Sequence, residues 1–171
     1  VFVSSLLPLP LAVKPLQVLF LNAVTHIFPA LALGVGAGRA GLLDRPPRAP
    51  GAPILDRGDW IRIAVWGVAI GAVSLGTLAV AAGPLGLPAD RAATIAFCTL
   101  TLTQLWHVLN VRDRDQGPWR NEVTTNPWLW GAIGLSLGLL AAVVHVRPVA
   151  AVMKTVPLAA SDWFVAVGAS L

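Results

Sequence analysis

Residues 16–35 read LQVLFLNAVTHIFPALALGV. The run carries no Asp, Glu, Lys or Arg, and at about 20 residues it has the length that crosses a bilayer's hydrocarbon core. Its polar members are Gln17, Asn22, Thr25 and His26. A core helix of a soluble protein would set a polar face against an apolar one at a 3.6-residue period, and this stretch does not. Three further stretches behave alike. Residues 63–82 carry no charge, residues 92–111 hold Gln104, His107 and Asn110 between apolar neighbours, and residues 127–146 are apolar apart from Ser136 and the terminal His145, behind Asn126 as a cap.

The whole chain agrees with that reading. Of its residues, 56% are hydrophobic and 12% charged, and soluble domains average about 25% charged. The fold expected is an all-α, polytopic membrane helix bundle, a single transmembrane domain over residues 1–171 with four full spans and two partial ones. The partial spans are residues 1–7, too short to cross and lacking the basic start of a signal peptide, and residues 163–171. The chain starts at Val1 and both ends fall inside apolar stretches, so the expectation is a fragment or shortened version of a longer protein. Cys98, the one cysteine, permits no internal disulfide.

Net charge is +4, but the cations lie between apolar runs and mark topology; they do not form a nucleic-acid surface. Arg39, Arg45, Arg48, Arg57 and Arg62 flank one loop and Arg112, Arg114 and Arg120 another, against Lys14, Arg91, Arg147 and Lys154 in the alternate connections: eight against four. The positive-inside rule then places the loops 36–58 and 112–125 together on the cytoplasmic side of a multi-pass protein of the plasma or inner membrane. Trp60, Trp128 and Trp163 stand at span starts, where indoles prefer the headgroup level. Gly67 with Gly71 and Gly134 with Gly138 have the four-residue spacing that lets helix backbones approach, although glycine is common in membrane helices without that role.

Asn22, Thr25 and His26 carry most of the functional information. Spacings of three and four put them on one face of an α-helix near the bilayer midplane, where polar groups are expensive and seldom face lipid. Pro29 has no N–H, so in an α-helix the carbonyl of Thr25 loses its partner and the helix breaks or bends over residues 25–29. A freed carbonyl beside an amide, a hydroxyl and an imidazole suits a cation; the plainer reading is interhelical hydrogen bonding. Gln104, with Thr103 beside it, is a second candidate for the same cavity. His107 and Asn110 are expected to reach water at the cytoplasmic end. No Gly-rich phosphate loop, no Cys/His ligand cluster, no Ser/His/Asp set and no acidic residue within a complete span is present.

At this point the residues resemble a family. The run from Pro15 to His26, followed by Phe28-Pro29-Ala30-Leu31-Ala32-Leu33-Gly34, is similar to the sixth transmembrane helix of class II P-type cation-transporting ATPases. Arg45-Pro46-Pro47-Arg48, Ile54-Leu55-Asp56-Arg57-Gly58 and Trp60-Ile61-Arg62 resemble the following cytoplasmic loop and seventh helix. Gln104-Leu105-Trp106-His107 through Asn110 resembles the eighth. Asn126-Pro127-Trp128, Thr155-Val156-Pro157-Leu158 and Asp162-Trp163 resemble the ninth helix and the start of the tenth. The resemblance implies a piece of a pump, helices five to ten, whose ATP and Mg²⁺ act on domains outside this chain. The D-K-T-G-T phosphorylation motif is missing here, so the chain is expected to have no ATPase activity of its own. In that family's calcium pumps the sixth helix supplies an Asn, a Thr and an Asp. Here Asn22 and Thr25 match, His26 stands at the Asp position, and Gln104 falls where the eighth helix has a Glu. Two carboxylates are thereby removed, which weighs against calcium.

The expected function is therefore the transmembrane part of an ATP-driven cation pump. Asn22, Thr25 and His26 would line half of the path and Gln104 would support it. Its partners would be the lipid bilayer, the transported cation, and the pump's other helices and cytoplasmic domains. The alternative is a stand-alone membrane interaction or regulatory module without transport. A small secondary transporter is a weaker reading, since no inverted repeat is visible.

Overall fold

A computed structural model describes residues 10–36, 51, 54–110, 121 and 123–171, all-helical among those residues and without strands. The first partial span and most of the two arginine-bearing loops lie outside the described residues. The first full span is one uninterrupted helical rod, Pro15–Val35, built from α1 (Pro15–Leu21), a π-helical turn (Asn22–Ile27) and α2 (Phe28–Val35). Then follow α3 (Arg57–Ala82), α4 (Ala89–Val108), α5 (Pro127–His145), the short α6 (Arg147–Met153) and α7 (Ala160–Ser170).

Local chemistry sets the ends. The Asp56 carboxylate accepts from the Asp59 amide at 2.7 Å while the Asp59 carboxylate accepts from the Asp56 amide at 3.0 Å, a reciprocal cap that starts α3. Pro127 occupies the first turn of α5, where its missing N–H costs nothing, and Asn126 caps it by accepting from the Trp128 amide at 2.9 Å. Gly83-Pro84 ends α3, and Gly86, with φ +58°, makes the turn into α4 a left-handed one.

Three helices are long and apolar enough to cross a membrane: Pro15–Val35, Arg57–Ala82 and Pro127–His145. The fourth expected span, α4, has the length, 20 residues, but is the most polar of the set. Burial explains it. Ala92 through Thr99 are all buried, and α4 packs against α3, α7, α5 and the π-helical turn. Its threonines stay satisfied without water: the Thr94, Thr99, Thr101 and Thr103 hydroxyls donate to carbonyls four residues back at 2.7–3.0 Å. The main core joins Leu78, Ile95, Phe97, Leu102, Leu140 and Val144 around this helix. By contrast α3 shows its first three turns almost wholly outward, including Trp60, Ile63, Trp66 and Val68. The second partial span is α7, which lies against α4.

The spans alternate in direction, so their ends gather in two layers. At one end the Lys14 ammonium donates to Asp90 at 3.1 Å and to the Lys154 carbonyl at 2.8 Å, and the Gln17 amide donates to the Met153 carbonyl at 3.1 Å. Beside them the Arg91 guanidinium makes a two-pronged pair with the buried Asp162. At the other end the Asn126 amide donates to the Ala32 carbonyl at 2.9 Å. Among the described residues the expected glycine contacts do not form: a Cβ at Gly67, Gly71, Gly134 or Gly138 would meet nothing within 4 Å.

Candidate cation site

The π-helical turn replaces the simple break expected at Pro29. Its closing bond runs from the Phe28 amide to the Ala23 carbonyl, five residues back. That register changes which carbonyl proline orphans. With i→i+4 bonding the missing N–H of Pro29 would leave Thr25 unpaired; with i→i+5 bonding it leaves Val24. The Val24 carbonyl is met from another helix, where the buried Ser136 hydroxyl donates to it at 3.0 Å. The freed-carbonyl expectation is thereby extended: in this register Pro29 also leaves the Val24 carbonyl without its backbone partner, and Ser136 fills it.

The same turn divides the polar triplet. A residue in a π-turn advances the chain by less than the ~100° of an α-helix, so position 25 falls further round from position 22. Thr25 points inward and is 2% exposed, whereas Asn22 and His26 stay together on the exposed side of the rod. The Thr25 hydroxyl lies 2.8 Å from the Leu21 carbonyl and 2.8 Å from the Gln104 side-chain amide on α4. With one proton to give, it donates to Leu21, and Gln104 completes the pair by presenting its amide NH₂, interchangeable with the oxygen by a half-turn of the group. Thr25 and Gln104 are thus brought together across two helices. Asn22 and His26 make no side-chain hydrogen bond among the described residues and open onto the side that α4 and α5 leave uncovered.

One turn beyond Gln104 on α4 stands His107. The Trp66 ring lies 4.7 Å from that of His107, and Trp106 Nε1 and His107 Nδ1 are buried without a partner among the described residues. His145, at the far end, accepts from Trp163 Nε1 at 3.2 Å. Ser136 escaped the sequence reading except as a polar residue inside an apolar span. The signal that would have found it is the pairing of that lone hydroxyl with a proline-bearing helix.

The donors around the turn are an amide, a hydroxyl, a second amide and an imidazole, all without formal negative charge. Among the described residues no three His, Cys, Asp or Glu side chains cluster as a metal-binding group. Such a set holds three neutral oxygens and an imidazole nitrogen, and carries no negative charge of its own to offset a cation.

Residues 10–171 match the family described as cation transporting ATPase, C-terminus. A calcium-transporting ATPase of Bacillus subtilis (strain 168) is 32% identical over 167 residues, which cover 98% of this chain and 19% of that relative. The chain thus spans about a fifth of the length of the curated relative it matches.

Proposed function

Because the chain belongs to the C-terminal family of cation-transporting ATPases, a family of multi-pass membrane segments, we propose that it forms one wall of the ion path of an ATP-driven cation pump. The observation that carries this reading is the Thr25–Gln104 contact at 2.8 Å across a π-helical turn. Two residues picked from separate spans meet at one point in the middle of the bundle, beside two unspent polar side chains. π-turns recur at functional sites because they expose backbone and re-aim side chains.

Asn22 and His26 face the open side, where the pump's remaining helices would close the site. Those helices would bring the negative charge that this wall lacks, and ATP and Mg²⁺ would act on the cytoplasmic domains. His26 would shape ion choice: an imidazole offers a nitrogen where an aspartate would offer a charged oxygen, so stripping water from a hard divalent ion is less well compensated. The pump would accordingly be less calcium-selective than relatives with aspartate there.

The test is cation-stimulated turnover of the full-length pump carrying this chain, with Asn22→Ala, Thr25→Ala, His26→Asp and Gln104→Glu. Loss of a ligand should raise the half-saturating cation concentration about tenfold, the equivalent of about 1.4 kcal/mol. His26→Asp should shift preference toward calcium. Unchanged cation dependence in all four variants would leave these residues as interhelical packing.

A further inference from the structure

Ser136 does something that most of its kin in the bundle do not. Ser74, Thr77, Thr94, Thr99, Thr101 and Thr103 each donate to the carbonyl four residues back on their own helix. Ser136 instead reaches from α5 into the π-helical turn and donates to Val24 at 3.0 Å. Both ends of this bond are out of contact with lipid and water: Ser136 is 0% and Val24 1% exposed. The bond falls on the one carbonyl that Pro29 cannot serve in the i→i+5 register.

We infer that Ser136 is a positioning residue for the cation site, a latch that holds the first span in its π register. The inference rests on the reading of that span as part of the ion path. Without the latch the chain has two options. It keeps the π-turn and buries an unpaired carbonyl, which is costly. Or it returns to i→i+4 bonding, where the Pro29 ring meets the Thr25 carbonyl and Thr25 rotates away from Gln104 toward the Asn22 face. Either way the hydroxyl and amides that would meet the ion lose their fixed arrangement. Ser136 touches no ion itself; it acts through the backbone of Val24, the residue next to Thr25.

Positions 136 and 29 are coupled through the Val24 carbonyl, so the experiment varies both. In the full-length pump, Ser136→Ala, Ser136→Cys and Ser136→Thr are made in the native background and again with Pro29→Ala, and half-saturating cation concentration, maximal turnover and thermal midpoint are read for each. In the native background Ser136→Ala should raise the half-saturating concentration about three- to tenfold. Ser136→Thr, which keeps the hydroxyl, should restore it, and Ser136→Cys, a weak donor, should fall between. With Pro29→Ala the amide at position 29 can serve the backbone, so Ser136→Ala should no longer matter. An equal effect in both backgrounds, or a thermal midpoint that drops while cation dependence stays put, makes Ser136 ordinary packing and overturns the inference. If Asn22→Ala and Thr25→Ala also leave cation dependence unmoved, the ion-path reading itself fails and takes the latch with it.

Discussion

At Thr25 a single side chain belongs to two networks. Its methyl and hydroxyl are buried, its proton goes to Leu21, and its oxygen meets Gln104. Thr25→Val keeps the shape and removes both bonds. Because Gln104 is only half-buried, the stability loss should be modest, about 1 kcal/mol, and a double-mutant cycle with Gln104→Leu should return a coupling of similar size. A coupling of zero in thermal unfolding would mean that the two groups do not interact. Lys154 is a different kind of residue. It ends α6 in the left-handed region, φ 52°, the only non-glycine at positive φ among the described residues. Its carbonyl holds Lys14, and a glycine would keep that bond while relieving the Cβ crowding. Lys154→Gly should therefore raise stability by up to about 1 kcal/mol, read as a higher thermal midpoint in detergent. A lower midpoint would show that the lysine side chain contributes more than its backbone strain removes.

Among the elements, the rod Pro15–Val35 depends on α5 at two points. Ser136 serves Val24 and Asn126 serves Ala32, a last-turn carbonyl whose next-turn amide, Gly36, has gone to Leu33 instead. Gly36 is fitted to the same contact, since a Cβ there would run into the Asn126 side chain. Asn126 thus starts one helix and closes another. Asn126→Ala should cost about 2–3 kcal/mol, a cap together with an orphaned buried acceptor. Asn126→Asp separates the roles: the carboxylate still caps α5 but has no N–H for Ala32, and it should remain less stable than the native chain. Equal midpoints for Asn126→Asp and the native chain would show that the Ala32 bond is worth nothing.

Across the whole molecule, polar contacts fasten the ends of the bundle and apolar packing fills its middle. Two ion pairs sit at the same end with different surroundings. In Lys14–Asp90 the acid is 71% exposed, whereas in Arg91–Asp162 it is 5% exposed and also accepts the Ala159 amide. Lys14→Met should cost no more than about 1 kcal/mol. Arg91→Met strands a buried carboxylate and should cost about 2–3 kcal/mol, loosening α7 from α4. Similar losses for the two variants would contradict that difference in burial. Sidedness is open to labelling, because Cys98 is wholly buried and single cysteines placed elsewhere report alone. Cysteines replacing Arg57, Asn110 and Thr125 should react from the cytoplasmic side and those replacing Gly86 and Lys154 from the other. Opposite reactivity for Arg57 and Thr125 would end the alternating arrangement.

Class, family and the positions of three spans were legible from the residues, because membrane insertion is decided by runs of apolar side chains, and a run of about 20 announces itself wherever it packs. The meeting of Thr25 with Gln104 was half legible, since spacing named both but could not bring them together. The helix disturbance before Pro29 was legible because it follows from a missing N–H. Its form was not. Whether proline breaks the rod or shifts it into a π register depends on whether some other helix can satisfy the carbonyl that the shift orphans, and that helix begins about a hundred residues later in the sequence, at Pro127. The same dependence turned Thr25 inward, left Asn22 and His26 outward, and made the Thr-rich α4 the buried centre instead of a lipid-facing span. Apolarity is a property of each stretch taken alone, whereas the pairing of a buried polar atom is a property of two stretches at once, and only the folded arrangement supplies the second.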